Sequence, residues 1–199
     1  MQYQIERIER ELSAGEIADF IGVPQTMQRN WRRQNYLPPS DPAKKVRFRL
    51  LQTAYLGLMK AQMDSGVAPG KADTIAKMMA PLAVIQISIC PMAVAVSGMD
   101  LSPHEWRKFV HEMAGIEDGE TPSRYLFLPA RNSLPTHTLP TGNEETPTSC
   151  YSFASLAEME GEVRRDWISG QIFDLQAFAM SLGIKAGPLI TYIATPEES

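Results

Sequence analysis

Between residues 13 and 35 this chain carries two start signals and two stop signals for helices, a spacing that admits two short helices joined by a tight turn. Ser13-Ala-Gly-Glu16 has the form of a capping box. In that arrangement the serine oxygen accepts the amide of the third helical residue, and the glutamate reaches back to the serine amide. Ile17 and Ile21, four apart with Phe20 beside them, give the first helix one apolar face. Gly22 ends it in the left-handed conformation of a tight turn, and Pro24 opens the next helix where no amide donor is needed. Asn35, the usual stand-in for glycine at a left-handed cap, is expected to end the second helix at Gln34.

On the second helix Met27 and Trp31 are four apart and pack against the first. Gln25, Gln28, Arg29, Arg32 and Arg33 are read as the opposite, polar and cationic side. Such a side suits the major groove of a duplex. Glutamine bonds base edges, while arginine forks onto guanine or neutralises phosphate. The stretch Tyr36-Leu-Pro-Pro39 leaves the helix extended, and residues 41–48 predict a small hairpin with Lys44 and Lys45 near its tip. Val46 and Phe48 then face inward, and Arg47 and Arg49 face out.

Charge is distributed to match. Residues 22–60 hold eight bases against one acid, Asp41, a net +7 in a chain whose total is −4, so the remainder carries −11. A basic module joined to an acidic one is the footprint of a polyanion bound by one part only.

The run Leu12-Ser-Ala-Gly-Glu-Ile-Ala-Asp-Phe-Ile-Gly-Val-Pro-Gln-Thr26, then Arg29-Asn-Trp-Arg-Arg-Gln-Asn-Tyr-Leu-Pro-Pro39, and later Arg47-Phe-Arg-Leu50, resembles the DNA-binding domain of MerR-type regulators. The likeness continues more weakly from Leu51 to Met79 and covers about two fifths of the chain. It implies a winged helix-turn-helix on double-stranded DNA in a bacterial or phage transcription regulator, with phosphates held by Arg29, Arg47 and Arg49. Gln28 stands where that family has leucine, and Asn30 where an aromatic follows the arginine. Pro81 interrupts the long helix through which those regulators dimerise. Excisionase-like architectural proteins share the module, so an accessory DNA protein or a protein-docking module is the alternative. The candidate DNA-binding set is Ser13, Gln25, Thr26, Gln28, Arg29, Asn30, Arg32, Arg33, Lys44, Lys45, Arg47 and Arg49.

The expected architecture is therefore mostly α with a β wing over residues 1–81, followed by a small α+β domain over 82–199 for effector binding or self-association. In the second part Ile85, Ile87 and Ile89 alternate as in a strand, with a buried helix as the competitor. Ser102-Pro-His-Glu105 opens a helix to about Ala114, Tyr125–Leu128 is a short strand, and residues 129–149 form a Pro/Thr-rich loop. Ser155-Leu-Ala-Glu158 opens a helix to about Trp167, Asp174 caps one to Gly183, and Leu189–Ile193 closes as a strand.

Catalysis and metal binding find little support. His104 and His111 lie about 10 Å apart along one helix, too far to share an ion. Cys90 and Cys150 have no metal-type spacing, and Ser149-Cys-Tyr151 with His137 lacks an acid partner and a glycine-rich elbow. The expectation is a non-enzymatic, cofactor-free cytoplasmic protein at the nucleoid, with DNA, a second copy and an effector as partners. The longest apolar run, Leu82 to Val96, falls short of the roughly 20 residues that span a bilayer.

Overall fold

Both ends of the chain meet in one sheet. β1 (Tyr3–Glu9) runs antiparallel to β8 (Ile190–Pro196), with Ile5 opposite Ala194 and Arg7 opposite Tyr192. β4 (Val94–Ser97) lies parallel to β8 on its other side, giving the order β1-β8-β4. The alternation along β8 explains its central place: Ile190, Tyr192 and Ala194 are buried, and Thr191 and Ile193 between them are half-buried. β1 is thus the edge strand of this sheet.

The computed structural model describes residues 3–41, 43–129, 151–163 and 170–197. Among these the chain is mixed α/β, with seven helices and three small sheets. The helices are α1 (Ala14–Ile21), α2 (Gln25–Arg33), α3 (Leu50–Asp64), α4 (Pro69–Ser88), α5 (Pro103–Met113), α6 (Leu156–Val163) and α7 (Leu175–Ala186). β2 (Leu12–Ser13) pairs with β3 (Arg47–Phe48), and β5 (Tyr125–Pro129) lies between β6 (Tyr151–Phe153) and β7 (Gly170–Asp174). No helix among the described residues is long and apolar enough to cross a membrane.

Three expectations change. The isoleucine alternation at 85–89 is the end of α4 and not a strand, and Pro81 sits inside that helix without ending it. Ala83, Gln86, Ile87 and Cys90, at i, i+3, i+4 and i+7, are buried together with Ser88, whereas Ile85 and Ile89 are only half-buried, so the true period is helical. Pro81 is exposed, where its ring meets solvent. A proline inside a helix costs about 3 kcal/mol, a loss opposed by burial of Met79 and Ala80 before it and Ala83 and Ile87 after it. Gln86 Nε2 donates to the Ser123 carbonyl at 3.1 Å, which satisfies a polar group within this apolar helix. Second, α7 runs past Gly183 to Ala186, because Gly183 is buried against the backbone at Met92 and Ala93, an approach no side chain would allow. Third, the hairpin expected at 41–48 is not paired with itself, as described below.

The closing strand expected at Leu189–Ile193 runs over Ile190–Pro196, and other helix starts stand where the residues place them. Ser102 and Glu105 form a capping box with Pro103 at the first helical position, and Asp174 accepts from the Ala177 amide at 3.0 Å. Ser155 Oγ accepts from the Glu158 amide at 3.1 Å at the head of α6. Trp167, Cys150 and the loop expected at 129–149, beyond Pro129 itself, lie outside the described residues. One apolar cluster runs from Leu12 to Tyr192, and the boundary expected at Pro81 falls within α4. Helix α7 packs on both α1 and α4, and its Phe178 seats against Gly57 of α3, where a side chain would collide with the ring.

Candidate nucleic-acid interface

Helix α1 begins as the residues require. Ser13 Oγ accepts the Glu16 amide at 3.3 Å, and Glu16 Oε2 accepts the Ser13 amide at 2.8 Å. Donation to the Glu16 carboxylate by the Ser13 amide, then by the Ser13 hydroxyl, and then by the Arg10 guanidinium lowers its pKa from 4.5 to about 2. Ser13 also belongs to β2, so its hydroxyl is engaged in holding the start of α1 to the sheet.

Gly22, at φ 76°, turns the chain, and α2 starts after Pro24 with no side-chain cap. The first-turn amides of α2 are thus left without a side-chain acceptor. Trp31 is buried beneath the helix and Met27 is half-buried beside it, as expected. Asn35 takes φ 61°, ending α2 in the left-handed conformation. Tyr55 of α3 then fastens the exit: its hydroxyl donates to Asp73 Oδ1 at 2.7 Å and lies 3.0 Å from the Tyr36 carbonyl. Burial, then the Asp73 carboxylate, raises the Tyr55 pKa far above its ordinary value, so the hydroxyl keeps its proton.

Gln28 is a correction. It was expected on the groove-facing side, but it is 1% exposed, and its Nε2 donates to the Ala14 carbonyl at 2.9 Å and the Val23 carbonyl at 2.8 Å. At 100° per residue Gln28 lies about 60° from Trp31, so it borders the apolar stripe and does not oppose it. It ties the start of α1 to the turn before α2 and cannot reach a base.

The remaining members of the expected set on α2 are outside. Gln25, Thr26, Arg29, Asn30 and Arg33 are exposed. Gln25, Arg29 and Arg33, at i, i+4 and i+8, form a row about 12 Å long. Neither Arg29 nor Arg33 has an ion-pair partner among the described residues. Arg32 departs from this pattern. Its guanidinium lies 5.5 Å from the centre of the Phe48 ring, and burial lowers its pKa while leaving it a cation.

The segment after α2 returns to α1 and does not fold on itself. Leu12 lies opposite Phe48 and Ser13 opposite Arg47, so the strand that follows the loop is pinned to the start of α1. Pro38 and Pro39 lack amide donors and cannot donate to a hairpin ladder. Asp41 shapes the turn, accepting from the Ala43 amide at 2.9 Å and from the Lys44 amide at 3.1 Å. Phe48 faces inward as expected, and Val46 is half-buried. Lys44, Lys45, Arg47 and Arg49 are exposed, and three of them have carboxylates nearby. Lys44 is 3.9 Å from Asp41, Arg47 is 3.9 Å from Glu16, and Arg49 is 3.5 Å from Glu11. Between this loop and the last turn of α2 lies a groove of about 360 Å³, walled by Arg32, Lys44, Lys45 and Arg47, with Glu11 at one side.

The sequence offered cues to two features it was not read for. Leucine in the resembling family at the Gln28 position marks a core site, and Glu11 stands beside the capping box next to a strand rich in arginine. Searches against protein-family models and against curated proteins find no match for this chain.

Proposed function

We propose that this protein binds double-stranded DNA through the outer row of α2 and the basic loop before β3, as a winged helix-turn-helix transcription regulator of MerR-like type. The observation that carries the reading is the exposed row Gln25, Arg29 and Arg33, whose two cations have no carboxylate partner among the described residues. A helix fits the major groove, which is about 12 Å wide, and such a row presents one amide and two guanidinium groups to base edges and phosphates. Lys44, Lys45, Arg47 and Arg49 extend the same charge beside it. Phosphate contacts set the register on the duplex, while Gln25 and Asn30 have the hydrogen-bonding groups to discriminate bases.

The test is a salt titration of binding to a labelled duplex of mixed sequence. Affinity falls log-linearly with salt, with a slope of about 0.9 for each phosphate neutralised. Absent or salt-independent binding overturns the reading and leaves the protein-docking alternative.

A further inference from the structure

We propose that the open edge of β1 joins a second copy of this chain, antiparallel and centred on Ile8, so that two three-stranded sheets become one of six strands. Among the described residues β1 has a strand neighbour on one side only. The Arg10 amide donates to the Leu189 carbonyl at 2.9 Å, on the β8 side. By the alternation of a strand, the amides and carbonyls of Arg7 and Glu9 point to the open side. An edge with free donors and acceptors is a template for another strand.

The side chains select the occupant and the register. Directly opposite residues of an antiparallel pair share a face, so a symmetric pairing is centred on one residue. Centring on Glu6 or on Arg7 sets like charges against each other at the axis, and centring on Ile5 sets Gln4 against Glu6. Centring on Ile8 sets Arg7 against Glu9 of the second copy, and Glu9 against Arg7 of the second copy. Within one chain Arg7 and Glu9 already lie on one face, 2.6 Å apart and 36% and 41% exposed. The pairing therefore closes a ring of four charges of alternating sign. On the opposite face Ile8, 44% exposed, meets its own copy. Charged residues on an edge strand ordinarily repel other strands, but this order of charges is complementary to itself. The inference does not depend on DNA binding.

Sedimentation or light scattering of the full chain across a concentration series tests it. Wild type dimerises. Arg7→Glu and Glu9→Arg each set like charges opposite one another twice and weaken the dimer on the order of tenfold. An equimolar mixture of the two variants associates with wild-type strength, although each chain has lost its internal Arg7–Glu9 pair, and the double variant Arg7→Glu/Glu9→Arg dimerises like wild type. A wild type that stays monomeric throughout, single variants that dimerise normally, or a mixture and double variant no stronger than the singles would each overturn the proposal.

Discussion

Arg29 and Arg33 on α2 have no carboxylate within ion-pair distance among the described residues, whereas Arg47 in β3 and Arg49 just after it each have one, Glu16 for Arg47 and Glu11 for Arg49. The difference follows from where the two segments are anchored. Helix α2 lies on Trp31 and turns its charged row outward, away from the acids of α1. β3 is hydrogen-bonded to β2, and β2 lies between Glu11 and the capping Glu16, so pairing the strands brings acids and bases together. A polyanion meeting α2 displaces only water from Arg29 and Arg33. On the β3 side it competes with exposed pairs worth about 0.2–1 kcal/mol each. Under the proposed function α2 supplies most of the electrostatic affinity, and the β3 side supplies less than its charge count suggests.

The strongest way to break this contrast is to remove what supports it. Trp31→Ala is expected to cost about 3–5 kcal/mol of stability in urea unfolding, since it empties a buried site beneath α2. A loss below about 1 kcal/mol would show that the outward row is held by something other than this ring. Gln28→Ala comes next, at about 1–3 kcal/mol, because it removes the two hydrogen bonds that a buried side chain makes to the Ala14 and Val23 carbonyls. Its binding-site preference on a randomised duplex pool should match wild type, whereas a changed preference would return Gln28 to the reading face. Arg29→Ala should then lower affinity for all sequences and reduce the salt slope by about one. Arg47→Ala should lower affinity less, by a margin of about 0.2–1 kcal/mol, since it gives up a pair with Glu16. Equal losses at the two positions would erase the contrast.

The smallest effect sharpens the role of Glu16. Its carboxyl is held at about 2 in the fold against an ordinary 4.5, so the folded state prefers the anion. The stability this contributes is present above pH 4.5 and is lost as pH falls from there towards about 2. Because the side chain is partly exposed the amount is modest, under about 1 kcal/mol. The difference in stability between wild type and Glu16→Gln should therefore shrink across that acid range. A difference that stays constant from neutral to acid pH would deny the carboxylate this part.

Local signals account for much of what was legible. The boxes at Ser13 and Ser102, the left-handed Gly22 and Asn35, and the Asp174 cap each act through groups within four residues, so they need no knowledge of the rest of the chain. The exposed row on α2 was legible for the same reason, since the 100° step settles it once Trp31 is taken as inside. What escaped depended on partners far along the chain. Ile85 to Ile89 alternate in type, yet they form the last turn of α4 and its cap, where Gln86 reaches Ser123 and Ile87 joins the common core. Segment 41–48 looked like a hairpin but had Leu12 and Ser13 as a competing partner. β1, with charges at three of its seven positions in Tyr3–Glu9, shows little apolar alternation and becomes a strand only because β8 offers an edge.

The amino-acid order by itself determined where helices start and stop and which segment concentrates positive charge, because capping, glycine conformation and charge are properties of near neighbours. Only the tertiary structure decided that Arg47 and Arg49 have carboxylate neighbours while Arg29 and Arg33 of α2 do not, and that the first strand closes onto the last. Each of those outcomes is set by burial and by contacts between distant residues, and no local window contains that information.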